Sequence, residues 1–148
     1  MTAYAPRPED VAPDDLDDPF WAGCRRGDFL LHRCDECGRH YWPASTCVEH
    51  GAVAMTWVPG SGRGVVHTWT VFHRVYAPHL AERVPYVIAV VRLDEGPFFH
   101  TDLADCPPGQ VTSGMPVEVR FDASAPGTPI PRFAPLARPD GPRAPQRP

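Results

Sequence analysis

From Gly60 onward, apolar residues come in short bursts separated by glycine and proline. The runs Val65–His73 and Tyr86–Leu93 are rich in β-branched and aromatic residues, Val117–Phe121 alternates cleanly, and Phe98–Asp102 and Ile130–Phe133 are shorter versions of the same text. Such residues fit a pleated, half-buried surface, so each run is expected to be a strand. Five short strands with turn punctuation favour a small antiparallel barrel over a helical or parallel α/β fold. Only one helix is expected. In the text PFWAGCRRGDF, Pro19 behind Asp17 and Asp18 reads as a start and Gly27 as a stop, with Phe20 and Trp21 as the anchors.

Composition narrows this picture. The chain has 148 residues, 43% of them hydrophobic, which suits one compact domain with one core. Its longest uninterrupted apolar run, Tyr86 to Val91, is far shorter than the ~18 residues that span a bilayer, so no membrane partner is expected. The first twenty residues have neither an apolar stretch nor a basic leader, and a cytoplasmic protein is expected. The net charge of −4 is concentrated in residues 1–19, which hold six acids against Arg7. The near-neutral remainder offers no basic face, so nucleic acid is not an expected partner. Eight of the 20 prolines fall in residues 123–148. The expected organisation is a flexible acidic arm (1–18), an N-terminal helical segment (19–33), a cysteine-rich ribbon (34–59), the barrel (60–135) and a disordered Pro-rich tail (136–148).

Between helix and barrel, Cys34-Asp-Glu-Cys37-Gly38 is followed, nine residues later, by Cys47-Val-Glu-His50-Gly51. Two residues between ligands let one tight turn aim both side chains at a single ion, and the glycine after each pair supplies backbone freedom. Cys34, Cys37, Cys47 and His50 therefore read as a Cys₃His zinc ribbon with a structural Zn²⁺. The competing reading is a set of buried thiols or a disulfide, which cytoplasmic residence disfavours. A histidine ligand also argues against an iron carrier of the rubredoxin type. Cys24 and Cys106 fall outside the pattern and read as unreactive thiols.

Other chemistry is sparser. His67 and His73 are six apart on one predicted strand, which would put them on one face. Arg63, Arg74, Arg92 and His100 would join them in a cleft for phosphate or a thioester, since arginine offers paired donors to anionic oxygens. The plainer alternative is a polar, solvated barrel face. No paired carboxylates, nucleophile elbow or dinucleotide fingerprint is visible, so a binding role is favoured.

The order of the pieces PFWAGCRRGDFLLHRC, CDECGRHYWP, CVEHG, SGRGVVHTWTVFHRVY, VPYVIAVVRLDEGPFFHTDL, GMPVEVRFD and PRFAP resembles the acyl-CoA-associated family known as domain of unknown function thirty-five. The resemblance covers about Pro19 to Pro135. It implies a mainly β fold: a short N-terminal helix, a rubredoxin-like zinc ribbon and a five-stranded OB-fold barrel. It also implies a non-catalytic accessory subunit of a thiolase-like enzyme, a hetero-oligomer with an acyl-CoA site at or near the shared surface. On that view Arg63, His73 and Arg74 are the candidate acyl-CoA contacts. The family ribbon usually carries four cysteines, and His50 stands where the fourth is expected.

Phe20, Trp21, Tyr41 and Trp42 read either as an aromatic docking surface or as a miniature core. Two other functions remain open at this stage. One is a free-standing OB module for single-stranded nucleic acid or acyl-CoA. The other is an independent thioester hydrolase or hydratase using His67, His73 or His100 as base.

Overall fold

The structure, a computed structural model, describes residues 16–43, 45–51, 53–122 and 129–136. The acidic arm and the Pro-rich tail lie outside the described residues, apart from residues 16–18 and 136.

Helix α1 spans Asp18–Arg26, with Pro19 in its first turn, Asp18 at the electropositive end and Arg25 and Arg26 at the electronegative end. It stops at Gly27, whose N–H donates to the Cys24 carbonyl. Phe20, Gly23 and Cys24, spaced i, i+3 and i+4, form its buried stripe.

The chain then enters strand β1 (Leu30–Cys34), which pairs on one side with β2 (His40–Tyr41) and on the other with β3 (Met55–Pro59). This three-stranded sheet corrects the sequence reading. Leu30–Arg33 falls inside the segment 19–33 read as helical, and its short, non-alternating text gave no strand signal; β1 is a strand because it is paired along both edges.

The second sheet contains the remaining strands: β4 (Arg63–Phe72), β5 (Tyr86–Leu93), β6 (Phe98–Asp102), β7 (Pro116–Asp122) and β8 (Ile130–Pro135), in the order β6-β5-β4-β7-β8, antiparallel throughout. Its two ends curl together. Leu103 forms a parallel bridge to Phe133, the Ala104 N–H donates to the Phe133 carbonyl at 2.8 Å, and the Phe133 N–H donates to Thr101 Oγ1 at 3.2 Å. The result is the expected five-stranded OB-type barrel. Leu136, read as tail, still belongs to it, because its N–H donates to the Pro116 carbonyl.

Val66, Val87, Ala89, Val91, Val117 and Phe133 fill the barrel with almost no solvent exposure. A chain of rings connects that core to the helix and ribbon: Phe20 packs on Phe29 and Trp42, Phe29 on Phe99 and Phe133, and Trp42 on Phe99. Helix, ribbon and barrel thus share one hydrophobic core.

Candidate metal centre and barrel cleft

The two ligand pairs sit on two matching turns. Cys34 ends β1, and the turn that follows is closed by the Gly38 N–H donating to the Cys34 carbonyl at 2.9 Å; the second closes by the Gly51 N–H donating to the Cys47 carbonyl at 2.8 Å. Gly38 and Gly51 have φ of 74° and 64°, the left-handed conformation that a side chain disfavours. An ion pair between Arg39 and Glu49 at 2.6 Å joins the turns across the surface.

These turns bring Cys34, Cys37, Cys47 and His50 together, with all four ligand atoms within 4.8 Å of one another. The Cys37 and Cys47 sulfurs are 3.8 Å apart, and His50 Nδ1 lies 3.4 Å from the Cys47 sulfur and 3.8 Å from the Cys34 sulfur. A tetrahedral Zn²⁺ with Zn–S of ~2.3 Å and Zn–N of ~2.0 Å has S···S edges of ~3.8 Å and S···N edges of ~3.5 Å. The spacing fits such an ion, and it is far longer than the ~2.05 Å of a disulfide. Four protein ligands fill a tetrahedron, so the arrangement suits a structural ion. Cys34 and Cys47 are buried, whereas Cys37 and His50 are exposed.

Tyr41 adds a contact that the spacing did not reveal. Its hydroxyl donates to the Cys47 sulfur at 3.3 Å and accepts from the Val48 N–H at 3.1 Å. The Tyr41 hydrogen bond, helped by the Glu49 N–H and by His50, draws the Cys47 thiol down to about 5, so this ligand is a thiolate at neutral pH.

Cys24 behaves oppositely: burial pushes its thiol up to about 11. The folded state therefore keeps this proton after the unfolded chain would lose it, and its contribution to stability falls as pH rises from the ordinary thiol range towards 11. Iodoacetamide at pH 8 is expected to modify half-buried Cys106 slowly and leave Cys24 untouched, with Cys37 and Cys47 becoming reactive once a chelator is added. Mass spectrometry of the labelled chain reads this out. Rapid labelling of Cys24 in the native state would contradict its placement.

The aromatic residues divide between roles. Phe20 is wholly buried core, Tyr41 belongs to the ribbon centre, and Trp21 and Trp42 are half-buried against the core cluster. Together with Ile130 these two tryptophans line a cleft of about 600 Å³ between α1, the ribbon and the barrel seam. On its far wall Asp102 bridges two guanidinium groups, Arg83 from the β4–β5 loop and Arg132 from β8. No sequence signal marks this cleft, because its lining comes from segments more than a hundred residues apart.

The predicted anion-binding residues are dispersed. Pairing between β4 and β5 slips between Val66 and Thr68, leaving His67 as an extra residue. Gly64 and Val66 face the core before the slip and Val71 packs against it afterwards, so inward and outward positions exchange. The strict alternation that would put His67 and His73 on one face is broken by this slip, and His73 lies beyond the end of β4. His67 packs against Phe98, and His73 follows the end of β4. Arg63 begins that strand and Arg74 lies two residues past its end, the strand itself being ~30 Å long at ~3.3 Å per residue. Arg74 sits over the Tyr76 ring, and Arg92 is exposed on β5. His100 lines the cleft.

Residues 57–122 match the family described as ChsH2, C-terminal OB-fold domain. The probable enoyl-CoA hydratase alpha subunit of Thermomonospora curvata is 31% identical over 121 residues, covering 80% of this chain and 37% of that protein. A DUF35 domain-containing scaffold protein of Methanocaldococcus jannaschii is 35% identical over 91 residues, covering 60% of this chain and 64% of that one. The chain thus spans under two-fifths of the first relative's length and just under two-thirds of the second's. Among solved structures, a chain of the Ltp2-ChsH2(DUF35) aldolase superposes with a TM-score of 0.75 at 28% identity, covering 84% of this chain and 97% of that one.

Proposed function

We propose that the chain is a DUF35-type OB-fold protein and a non-catalytic accessory subunit that docks on and stabilises a thiolase-like enzyme acting on acyl-CoA or β-ketoacyl thioesters. The observation that carries this reading is the likeness, over 84% of this chain and 97% of the other, to a chain of the Ltp2-ChsH2(DUF35) aldolase, a name that joins two proteins. The scaffold name of the archaeal relative points the same way. On this reading the zinc ribbon is a structural clip that holds α1 and Trp42 beside the cleft. On the same reading Arg63, at the start of β4, and His73 and Arg74, adjacent in the β4–β5 loop, are the candidate contacts for an anionic group of the thioester.

A second reading, an independent hydratase or thioester hydrolase, draws on the hydratase name of the actinobacterial relative. The matched family is, however, described as a C-terminal OB-fold domain, and among the described residues no histidine is hydrogen-bonded to a carboxylate that would orient it as a base.

The test is affinity capture of the tagged full chain from its native cells, with zinc measured in the same sample. A stoichiometric thiolase-like protein is the expected result. Capture of acyl-CoA or nucleic acid alone, or thioester turnover by the isolated chain, would overturn the accessory-subunit reading.

A further inference from the structure

Strand β4 is paired along only part of one side. Its ladder with β5 runs from Gly64 to Phe72, while its ladder with β7 covers Arg63 to Val65. Val66 is the last residue held on the β7 side, its N–H donating to the Met115 carbonyl at 2.9 Å and its carbonyl accepting from the Gly114 N–H at 2.7 Å. From His67 to Phe72, no strand among the described residues pairs with β4 on that side.

This open edge is six residues long, the length of an ordinary strand, and reads His-Thr-Trp-Thr-Val-Phe without charge or proline. Folded proteins usually guard such edges with charge, proline, a bulge or a covering segment, because unpaired N–H and C=O groups in extended register are a template for another strand. Here the bulge at His67 guards only the beginning. Trp69 remains 36% exposed on the edge itself, and Val75 and Tyr76, 44% and 65% exposed, stand beyond its far end.

We propose that the edge of β4 from His67 to Phe72 is where the partner enzyme docks, by adding one extended segment antiparallel to it as a further strand. The inference rests on the accessory-subunit reading and deepens it by naming the surface and the chemistry of the occupant. Main-chain groups along the edge specify an extended backbone. Trp69 and Val71 on one face call for apolar side chains, and Thr68 and Thr70 on the other accept small or hydroxylated ones, so the occupant alternates accordingly. That pattern describes a strand of an α/β or β enzyme better than a helix, which would leave the edge unpaired.

The test compares amide hydrogen exchange in the free full chain with that in the complex captured from native cells. Pairing predicts that the edge-facing amides of Trp69 and Val71 exchange freely in the free chain and slow by about tenfold or more in the complex. Capture should also fall at least as far with Trp69→Pro, which removes an outward N–H that the barrel does not use, than with Trp69→Ala, which removes only the side chain. If Trp69→Pro fails to fold, exchange in the wild-type complex decides alone. A captured thiolase-like enzyme with the edge amides still exchanging freely would overturn the edge while leaving the accessory role intact. Absence of such an enzyme would overturn both. A free chain that is already dimeric with these amides protected would give the edge to a second copy and overturn the proposal.

Discussion

Replacing Cys34 with serine is expected to reduce bound zinc from one ion per chain to none and to unravel the ribbon. Cys34 is wholly buried and terminates β1, so the substitution removes both a ligand and the anchor of the first turn. The region between β1 and β3 has little apolar substance of its own: β2 is two residues long, and the buried side chains facing the centre are the ligands Cys34 and Cys47. When a site is preformed only in the folded state, its metal-binding free energy is folding free energy, on the order of 10 kcal/mol in the smallest zinc modules at neutral pH. The effect here should be local. Hydrogen exchange should rise through residues 35–54 while the barrel strands β4 to β8 stay protected, because their core residues lie outside the ribbon turns. Tyr41→Phe should give a graded result, retaining the ion but weakening it by roughly 10- to 100-fold, as loss of a contact beyond the ligands usually does. Zinc quantification with exchange measured by mass spectrometry tests both variants. A zinc-free wild type with a fully protected ribbon would show that packing alone holds it.

Phe20→Ala should cost more than any other single truncation in the helix, about 3–5 kcal/mol. Its ring is 0% exposed and lies 4.0 Å from Trp42, 5.2 Å from Trp21 and 5.9 Å from Phe29, centroid to centroid. Those neighbours belong to the helix, the ribbon and the segment leading into β1, so a cavity at this point loosens all three at once. Against a typical total of 5–15 kcal/mol for a domain, this is a large share of the stability. Trp21→Ala, at a half-buried position beside the cleft, should cost markedly less. Equilibrium urea unfolding of the two variants against wild type gives the comparison. Equal losses, or a Phe20→Ala loss under about 1 kcal/mol, would mean that the ring is not the junction its contacts describe.

The two variants also separate the roles that the sequence left open for the aromatic residues. Phe20, Trp21, Tyr41 and Trp42 look alike on the page, but one is core, one donates to a cysteine of the candidate metal centre and two face a cleft. Hydrophobicity reports that a ring will be covered, not by what. Only contacts among Phe20, Phe29, Trp42 and Phe99, brought together from four separate segments, decide that.

What the sequence determined by itself is whatever depends on neighbours along the chain. Tyr86–Leu93 and Phe98–Asp102 were legible to the residue, because β-branched runs bounded by turn residues carry their own boundaries. Helix α1 was legible from its Pro start and Gly stop, and the ribbon centre from two Cys-x-x-ligand-Gly turns, since each turn is a local conformation. What required the tertiary structure depends on partners distant in the chain. Strand β1 exists as a strand because β2 and β3 flank it. The bulge at His67 appears only against the register of β5, and it breaks the alternation from which a shared face for His67 and His73 was predicted. The cleft, with Asp102 between Arg83 and Arg132, and the open edge of β4 arise from barrel closure, which brings β6 to β8 and stops β7 at Val65. Turn and strand preferences are short-range energies carried by each residue. Pairing and enclosure are long-range ones, and they acquire positions only when the chain has closed on itself.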